Sequence, residues 1–240
     1  QADLIISVTH SFKSELQNRG VSADKIKVVL NGVDLSRYKP LPEKDKEFSE
    51  KYHLQGKFVA GYIGTHGLAH ALDSIIEAAE LLKAEDDIRV VFAGGGADRS
   101  RLERLVKTRG LSNVVMIPRQ PKENMQKIWS LCDVSLVSLK DTPLFSTVIP
   151  SKIFESMAMK IPIIISVPEG EATEIVITEK AGLIVPPENS NKLAGAILKI
   201  KNDIELHSNL AVNSGLAASK FNRKILALDM LNHIEELMCP

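Results

Sequence analysis

The chain has 240 residues, of which 44% are apolar and 25% are charged, as is typical of globular proteins. Thirty basic residues balance thirty acidic ones, so no overall field would draw the chain to nucleic acid or to a membrane surface. No apolar run reaches the roughly 18 residues of a membrane-spanning helix. The two cysteines, Cys132 and Cys239, make no disulfide framework and favour a reducing, cytoplasmic setting.

The first 38 residues predict a short strand–helix–strand unit. Residues 3–8 predict a strand and residues 11–19 a helix, and the strand after them breaks at the turn dipeptide Asn31-Gly32. The chain starts at Gln1, in the middle of this pattern. We therefore expect a piece of a longer protein.

A segment of many charges and two prolines, residues 39–50, predicts a linker, and we place a domain boundary near residues 38–41. Beyond it, strand and helix patterns alternate. The predicted strands are 58–63, 88–93, 114–117, 133–138, 161–166 and 182–185, and the predicted helices are 68–83, 98–108, 122–131, 171–178, 190–200 and a tail at 204–238 with a break at 221–222. Repeated βα units predict an α/β fold with a doubly wound, parallel, Rossmann-like sheet.

Two glycine-rich turns follow strands of this sheet, at residues 61–67 and 94–96. In doubly wound sheets, ligands bind outside the carboxyl ends of the strands, and glycine lets the backbone approach a phosphate closely. A nicotinamide-dinucleotide enzyme would need Asp or Glu at the end of the second strand. That strand ends in three glycines here, so the dinucleotide hypothesis loses most of its weight.

The stretch 142–161, TPLFSTVIPSKIFESMAMKI, concentrates the polar chemistry. Pro150-Ser151 predicts a helix start with serine as its cap, and Glu155 is a lone carboxylate on an otherwise apolar helix. Ribose hydroxyls would suit Glu155, while Lys152 and the helix N-terminus would suit a diphosphate. An i,i+3 pair between Lys152 and Glu155 on a solvated face is the alternative. These residues alone leave both interpretations open.

The ordered series of motifs resembles a known family. The series is NGVD at 31–34, GYIG at 61–64, VVFAGGG at 90–96, LCDVSLVSL at 131–139, SKIFESMAMKIPIIIS at 151–166 and AGLIVPPENSNKLAGAI at 181–197. It resembles the C-terminal, donor-binding domain of retaining group 1 glycosyltransferases, which have the two-domain GT-B fold. Within that group it looks most like bacterial transferases that handle N-acetylated or deoxyamino sugars in surface-polysaccharide assembly.

The resemblance implies a domain organisation. Residues 1–38 would be a remnant of the N-terminal acceptor domain, residues 39–221 the nucleotide-sugar-binding domain, and residues 222–240 a helix that packs back toward the N-terminal domain.

It also implies an activity. The expected substrate is a UDP-linked sugar, transferred with retention to a glycan or lipid-linked acceptor that the N-terminal domain would hold; no cofactor, metal or nucleic acid is expected. The full-length protein would be cytoplasmic, with room for peripheral association at the inner face of a membrane. This piece alone would bind nucleotide and transfer nothing. Two alternatives stay open, a GT-B nucleotide-sugar 2-epimerase and a non-catalytic nucleotide-binding module.

Residue roles follow from the resemblance by position. Glu155 matches the second glutamate of the family's E-x7-E motif, which grips the nucleotide ribose, and Lys152 would serve beside it as the second catalytic group. Gly64 matches the glycine of the G-R-x4-K loop, and His66 and Gly67 belong to the same loop, where the main chain of His66 is expected to matter more than its ring. The residues whose main chain would face the diphosphate are Ile149, Pro150 and Ser151.

The sequence departs from the family pattern at three positions. Thr65 stands where arginine is usual, His70 where lysine is usual, and Thr147 where the first glutamate normally touches the transferred sugar. These departures imply either a subfamily in which Lys152 and His70 neutralise the phosphates or a weakened donor site. We favour the subfamily, because Glu155, Ser151 and Lys152 would otherwise have little reason to cluster.

The remaining candidates lie around the sheet. Arg119 and Gln120 follow the strand at which the family's backbone pairs with the base, so we assign them to base recognition. Trp129 is expected in the core. Leu144 and Phe145 would either line a sugar pocket or pack as a loop on the sheet.

Overall fold

Parallel strand pairing organises the structure, a computed structural model that describes residues 2–238 and the side chains of residues 2–237. Cys239 lies outside the described residues. The strands are β1 (Ile5–Ser7), β2 (Ile26–Val28), β3 (Phe58–Thr65), β4 (Ile88–Gly95), β5 (Val114–Pro118), β6 (Val134–Ser138), β7 (Ile163–Ser166) and β8 (Gly182–Ile184). β1 and β2 form a small parallel sheet, and the other six form a larger one in the order β5-β4-β3-β6-β7-β8.

Helices cover both faces of the larger sheet. They are α1 (His10–Asn18), α2 (Lys46–Lys51), α3 (Leu72–Leu81), α4 (Arg99–Thr108), α5 (Met125–Ser130), α6 (Lys152–Ala158), α7 (Glu171–Thr178), α8 (Ser190–Asn202), α9 (Ile204–Ala217) and α10 (Arg223–Met238). α3, α4 and α8 share one apolar cluster with the sheet, and α2, α5, α6 and α7 pack in two clusters on its other side. The α/β, Rossmann-like prediction is confirmed. Within residues 2–238, every helix is too short or too polar to cross a bilayer.

The strand order reverses between β3 and β6, which lie side by side at the centre of the sheet. In doubly wound sheets the loops beyond this point diverge and leave a crevice for ligands. Here the loops after β3 and β6 contact each other, because Ser138 Oγ donates a hydrogen bond to the carbonyl of His70 at 2.7 Å and the N–H of Lys140 donates to that of Ala69 at 3.0 Å.

These contacts explain why the predicted helix over 68–83 is wrong at its start. Leu68–His70 forms a short 3₁₀ turn, Ala71 adopts a left-handed conformation with φ of 48°, and α3 begins only at Leu72. Since the loop after β6 binds two carbonyls of the turn, those carbonyls are not available for α-helical hydrogen bonds. His70 therefore lies in a turn and not on a helix.

The predicted linker over 39–50 is wrong in its second half. Residues 46–51 form α2, whose first turn is capped by Asp45 through a 3.0 Å hydrogen bond from the Phe48 N–H, and Phe48 is buried. The buried Phe48 side chain, one apolar group among charged neighbours, holds this short helix against the rest of the protein. The helix predicted over 122–131 is shorter too, since α5 spans Met125–Ser130, and Cys132 lies after it as a buried residue. The predicted break at 221–222 is confirmed.

The small sheet is joined to the larger one at two places. Glu171, at the start of α7, accepts hydrogen bonds from the N–H groups of His10 and Ser11 at 2.8 and 2.6 Å, and so caps α1. Val33 exchanges main-chain hydrogen bonds with the chain on either side of Asn222, where α10 begins. Residues 5–33 are thus packed against the start of α7 and the start of α10.

Candidate functional site

A cavity opens where β3 and β4 end. Gly94 has a φ of 146°, and a Cβ atom there would lie 1.9 Å from the carbonyl oxygen of Gly64, so only glycine permits this approach. The cavity has a volume of about 490 Å³. Its lining residues are Gly64, Thr65, Ala93, Gly94, Gly95, Gly96, Pro118, Arg119, Gln120, Lys122, Met125 and Ile128.

Four predicted site residues meet in this cavity, namely Gly64, Thr65, Arg119 and Gln120. Arg119 is exposed, whereas the Gln120 side chain donates to the carbonyl of Pro118 at 3.0 Å. Arg119 is thus the freer of the two for a ligand. Sequence reasoning missed three further lining residues, Lys122, Met125 and Ile128, because they come from the turn and helix after β5, which carry no motif.

Lys152 lies behind Gly64 and is buried, with only 8% of its surface exposed. Its Nζ is 3.5 Å from the centroid of the Tyr62 ring, and 3.3 Å from where a Cβ atom on Gly64 would lie. Within residues 2–238 this Nζ has no hydrogen-bond partner. Burial lowers the pKa of Lys152 to about 7, although the negative charge of Glu155 opposes that shift. The solvated i,i+3 pair between Lys152 and Glu155 is therefore wrong.

Glu155 is half-buried one turn after Lys152. Burial raises the pKa of its carboxyl group, whereas Lys152, the Trp129 indole and Arg223 act in the opposite direction. The indole N–H makes no hydrogen bond of standard geometry to any described residue, so we take Trp129 as a neighbour of the carboxylate and not as its donor. Burial, and then the nearby Glu155 charge, raise the pKa of Tyr38 to about 12.

The two histidines of the loop after β3 lie around Tyr62. The His66 ring is fully buried, with its centroid 6.0 Å from that of Tyr62 and 6.1 Å from that of Phe92. Burial lowers the pKa of His66 to about 4, so the ring is neutral at physiological pH. The main-chain N–H of His66 donates to the carbonyl of Gly95 at 2.9 Å. This hydrogen bond joins the two glycine turns, so the main chain of His66 holds the loop in place.

His70 is half-buried near the same Tyr62 ring, at a centroid distance of 6.0 Å. Burial and then the charge of Lys152 lower the pKa of its imidazole. In the described residues its Nδ1 has no hydrogen-bond partner. Gly67 stands beside this ring, since a Cβ atom there would lie 3.5 Å from it.

The start of α6 differs from its prediction. The Ser151 side chain makes no capping hydrogen bond and Ser151 is exposed. The N–H of Ile153 already donates to the carbonyl of Pro150 at 3.1 Å, and the Ile149 side chain is buried in the apolar cluster beneath α6. Among the residues predicted to face the phosphates, the structure places the Lys152 side chain near Gly64.

Thr147 lies apart from these residues. It lines a second cavity, of about 840 Å³, together with Leu144 and residues of β1 and α1. Its Oγ1 donates to the carbonyl of Leu144 at 2.7 Å. Leu144 is exposed, whereas Phe145 packs on the apolar cluster under α6. Of the two loop residues predicted for a sugar pocket, Leu144 lines a cavity and Phe145 packs on the core.

The family described as "Glycosyl transferases group 1" matches residues 43–215, most of the chain. The chain belongs to the group 1 glycosyltransferases. The matched range contains the cavity, Lys152 and Glu155, so the whole candidate site lies within the glycosyltransferase domain.

Several curated relatives of the chain are named as glycosyltransferases. The chain is 28% identical over 185 residues to the alpha-D-kanosaminyltransferase of Streptomyces kanamyceticus, covering 73% of this chain and 45% of that protein. It is 29% identical over 197 residues to the putative colanic acid biosynthesis glycosyltransferase WcaL of Escherichia coli, covering 81% and 46%. The chain thus spans about half the length of the curated relatives it matches.

A solved structure supports the fold. The Anabaena protein Alr3699/HepE, crystallised in complex with UDP, superposes with a TM-score of 0.85 at 18% identity, covering 98% of this chain and 64% of that one. At this identity the match establishes the GT-B architecture of this glycosyltransferase domain. The resemblance in the sequence motifs is confirmed at the level of family and fold.

Proposed function

We propose that this glycosyltransferase domain binds a nucleotide-diphosphate sugar, with UDP as the nucleotide, for retaining transfer to a glycan or lipid-linked acceptor. The observation that supports it best is the placement of Lys152 and Glu155 on one short helix beside the Gly64 turn, with both groups withdrawn from bulk water. The Anabaena neighbour was crystallised with UDP, and also with UDP and glucose.

Each part of the site would bind one part of the donor. The cavity beside Arg119 would hold the base, Glu155 would accept hydrogen bonds from the ribose hydroxyls, and Lys152 would contact the diphosphate across the bare backbone of Gly64. Hydrogen bonds to an ionised group are worth about 1.5–3 kcal/mol each. His66 and His70 would contribute main-chain position and polarity rather than charge, since the pKa of each imidazole is lowered.

Transfer breaks the bond between the anomeric carbon and the diphosphate oxygen. The leaving diphosphate keeps the electron pair, the acceptor oxygen bonds to the sugar carbon, and the acceptor proton passes to solvent. A fixed cation beside the leaving oxygens stabilises the developing charge without reorganising. We assign this role to Lys152. Retention of configuration and the acceptor come from the family resemblance.

The domain assignment belongs to the same proposal. Residues 1–38 would complete an N-terminal acceptor domain, residues 39–221 hold the donor, and residues 222–240 would return toward the acceptor domain. The hydrogen bonds that join Val33 to the start of α10 support it, because both segments would then leave the donor domain side by side. On this basis the 240-residue chain binds nucleotide and transfers nothing.

Calorimetric titration with UDP, GDP and ADP tests the proposal. We expect UDP to bind best and Glu155→Ala to weaken UDP by about tenfold or more, since ribose hydrogen bonds to a carboxylate are lost. The same variant should have a smaller effect on 2′-deoxy-UDP, which lacks one of the two hydroxyls. Glu174→Ala, at an exposed glutamate of α7, is the matched control.

A non-catalytic binding module is the second candidate, and Thr147 favours it. Its hydroxyl is bound to the Leu144 carbonyl, and no carboxylate stands at its position to touch a sugar. If none of the three nucleotides binds, the donor-site proposal is wrong and a module without a donor site remains. UDP binding that Glu155→Ala weakens by about tenfold or more decides for the donor site.

A further inference from the structure

The environment of the Lys152 amino group is unusual for a buried cation. Its Nζ lies on the face of the Tyr62 ring at 3.5 Å from the centroid. In the part of the chain that the structure describes, neither a carboxylate nor a carbonyl accepts a hydrogen bond from it. Buried charged groups are normally paired or hydrogen-bonded, so this nitrogen has three N–H positions that await a partner.

Each element packed around this nitrogen contributes an aromatic or titratable side chain. β3 contributes Tyr62, the turn after β3 contributes His66 and His70, and α6 itself contributes Glu155. The two imidazoles are neutral near neutral pH because burial lowers the pKa of each. Glu155 is thus the single anionic group that acts on Lys152 among the described residues, and it is not in hydrogen-bond contact.

An aromatic ring can attract a cation but cannot replace its hydration. A ring face contributes about 0.5–2 kcal/mol to holding an ammonium group, whereas the loss of water around a buried charge costs several kcal/mol. Consistent with this balance, the pKa of Lys152 falls to about 7. Most of the protein population therefore carries a neutral amine at slightly alkaline pH.

We propose that Tyr62 is a positioning residue that holds the Lys152 amino group against the Gly64 turn, and that binding of a nucleoside diphosphate there is coupled to uptake of one proton by this amine. The inference rests on the proposed function and adds the regulation of that site by pH. Gly64 is the entry point, because a side chain on it would come within 3.3 Å of Nζ and stand between the amine and the cavity.

The proton balance is simple. A terminal phosphate loses its last proton at about pH 6, so at about pH 8 free UDP is already fully ionised. The amine takes its proton from solvent and becomes the ammonium group that the diphosphate pairs with. UDP affinity then falls as the pH rises above about 7, by up to about tenfold per pH unit. A lysine that is charged in the free protein would give no such slope below about pH 9.

Titration of the unaltered chain with UDP at about pH 8, in two buffers of different ionisation enthalpy, tests the proposal. We expect most of one proton to be taken up per UDP and none with uridine, which has no phosphate. Lys152→Met should bind UDP more weakly, and the residual binding should take up no proton. Lys107→Met, at an exposed lysine of α4, is the control and should keep the uptake.

The role of Tyr62 is tested separately. Tyr62→Phe keeps the ring and loses only the hydrogen bond from the Tyr62 hydroxyl to the Thr65 carbonyl, whereas Tyr62→Leu removes the ring as well. We therefore expect the ratio of UDP affinity to uridine affinity to be about tenfold lower in Tyr62→Leu than in Tyr62→Phe. A general loss of structure would weaken both ligands, which thermal unfolding of each variant would also reveal.

Three outcomes overturn the proposal, and they are distinguishable. Failure of the unaltered chain to bind UDP overturns the proposed function along with this inference. UDP binding without proton uptake, or with uptake that persists in Lys152→Met, overturns the proton coupling alone. An equal ratio of UDP affinity to uridine affinity in Tyr62→Leu and Tyr62→Phe overturns the positioning role of the ring.

Discussion

Polar groups at the two ends of the central sheet are paired in different ways. At the carboxyl end, Lys152, His66 and His70 place nitrogen atoms out of solvent without a hydrogen-bond partner among residues 2–238. At the amino end, the ammonium group of Lys44 donates to the carboxylate of Asp133 and to a main-chain carbonyl. The same carboxylate accepts a 2.6 Å hydrogen bond from the N–H of Val59 in β3. A lysine is thus paired at the amino end and left unpaired at the carboxyl end, although Asn113 Oδ1, at the amino end too, also lacks a partner among the described residues.

The difference separates structural from functional polarity. A satisfied pair such as the half-buried Lys44 and Asp133 holds elements together, and removing one partner leaves the other uncompensated. An unsatisfied buried donor costs folding free energy, and a chain retains it where a ligand completes it. The comparison therefore predicts opposite signs for the two lysines: loss of Lys152 should stabilise the fold and weaken ligand binding, whereas disruption of the Lys44 pair should destabilise the fold and leave binding intact.

The largest expected effect is that of Lys152→Met on the pH dependence of stability. The pKa of Lys152 is about 7 in the folded chain against a usual 10.5, so the unfolded chain binds more protons between these values. The stability of the unaltered chain therefore rises with pH in that window, by ~1.4 kcal/mol per pH unit and ~5 kcal/mol in all, and the burial penalty is complete below about pH 7. Lys152→Met lacks this contribution.

Denaturant unfolding of both chains across this range measures the effect. Lys152→Met should be the more stable protein at about pH 6.5, and its advantage should shrink steadily as the pH approaches about 10. Lys107→Met should give a constant difference from the unaltered chain. A constant difference for Lys152→Met as well would mean that water or a counter-ion reaches the amine, and the contrast between the two ends of the sheet would disappear.

The next largest effect is expected at the amino end. Asp133→Asn removes the negative charge that accepts from Lys44 and from the Val59 N–H, so the free energy of unfolding should fall by about 2–3 kcal/mol. Because this carboxylate lies at the end of the sheet remote from the cavity, UDP affinity should change by less than about twofold. Asp86→Asn, at an exposed aspartate, is the control. A large loss of UDP affinity in Asp133→Asn would show that the two ends are coupled.

The same contrast explains what the sequence could predict. The alternation of strand and helix patterns predicted the parallel sheet. A strand buried on both faces leaves a nearly continuous apolar run, as in Ile88–Ala93. Glu155 and Lys152 stood out as charges on an apolar helix, and both prove to be withdrawn from solvent. Gly94 stood out because the turn at the end of β4 needs glycine.

Other features depend on neighbours that are distant in sequence. Tyr62 looked like an ordinary strand residue, and its contact with Lys152 spans three crossovers of the chain, from β3 to β4, β5 and β6. The 3₁₀ turn before α3 exists because the loop after β6 binds its carbonyls, which no local propensity reveals. Ser151 had the residue type of a cap but not the extended backbone that a cap needs, as its φ and ψ are −58° and −26°.

The smallest expected effect would sharpen the comparison by adding a charge at the open end. Thr65 is exposed and lines the cavity, where the family pattern has arginine. Thr65→Arg should raise UDP affinity about fivefold, the ~1 kcal/mol of an exposed ion pair, and the gain should diminish at high salt because solvent ions screen exposed charges. Thr65→Gln supplies similar length without charge and should give no gain. If Thr65→Gln matches Thr65→Arg, added contact and not charge is responsible for the gain. If neither variant binds UDP more tightly, Lys152 alone meets the electrostatic needs of the diphosphate. The cation of this site then lies on the buried face of Tyr62, and not at the surface of the cavity where the family pattern has arginine.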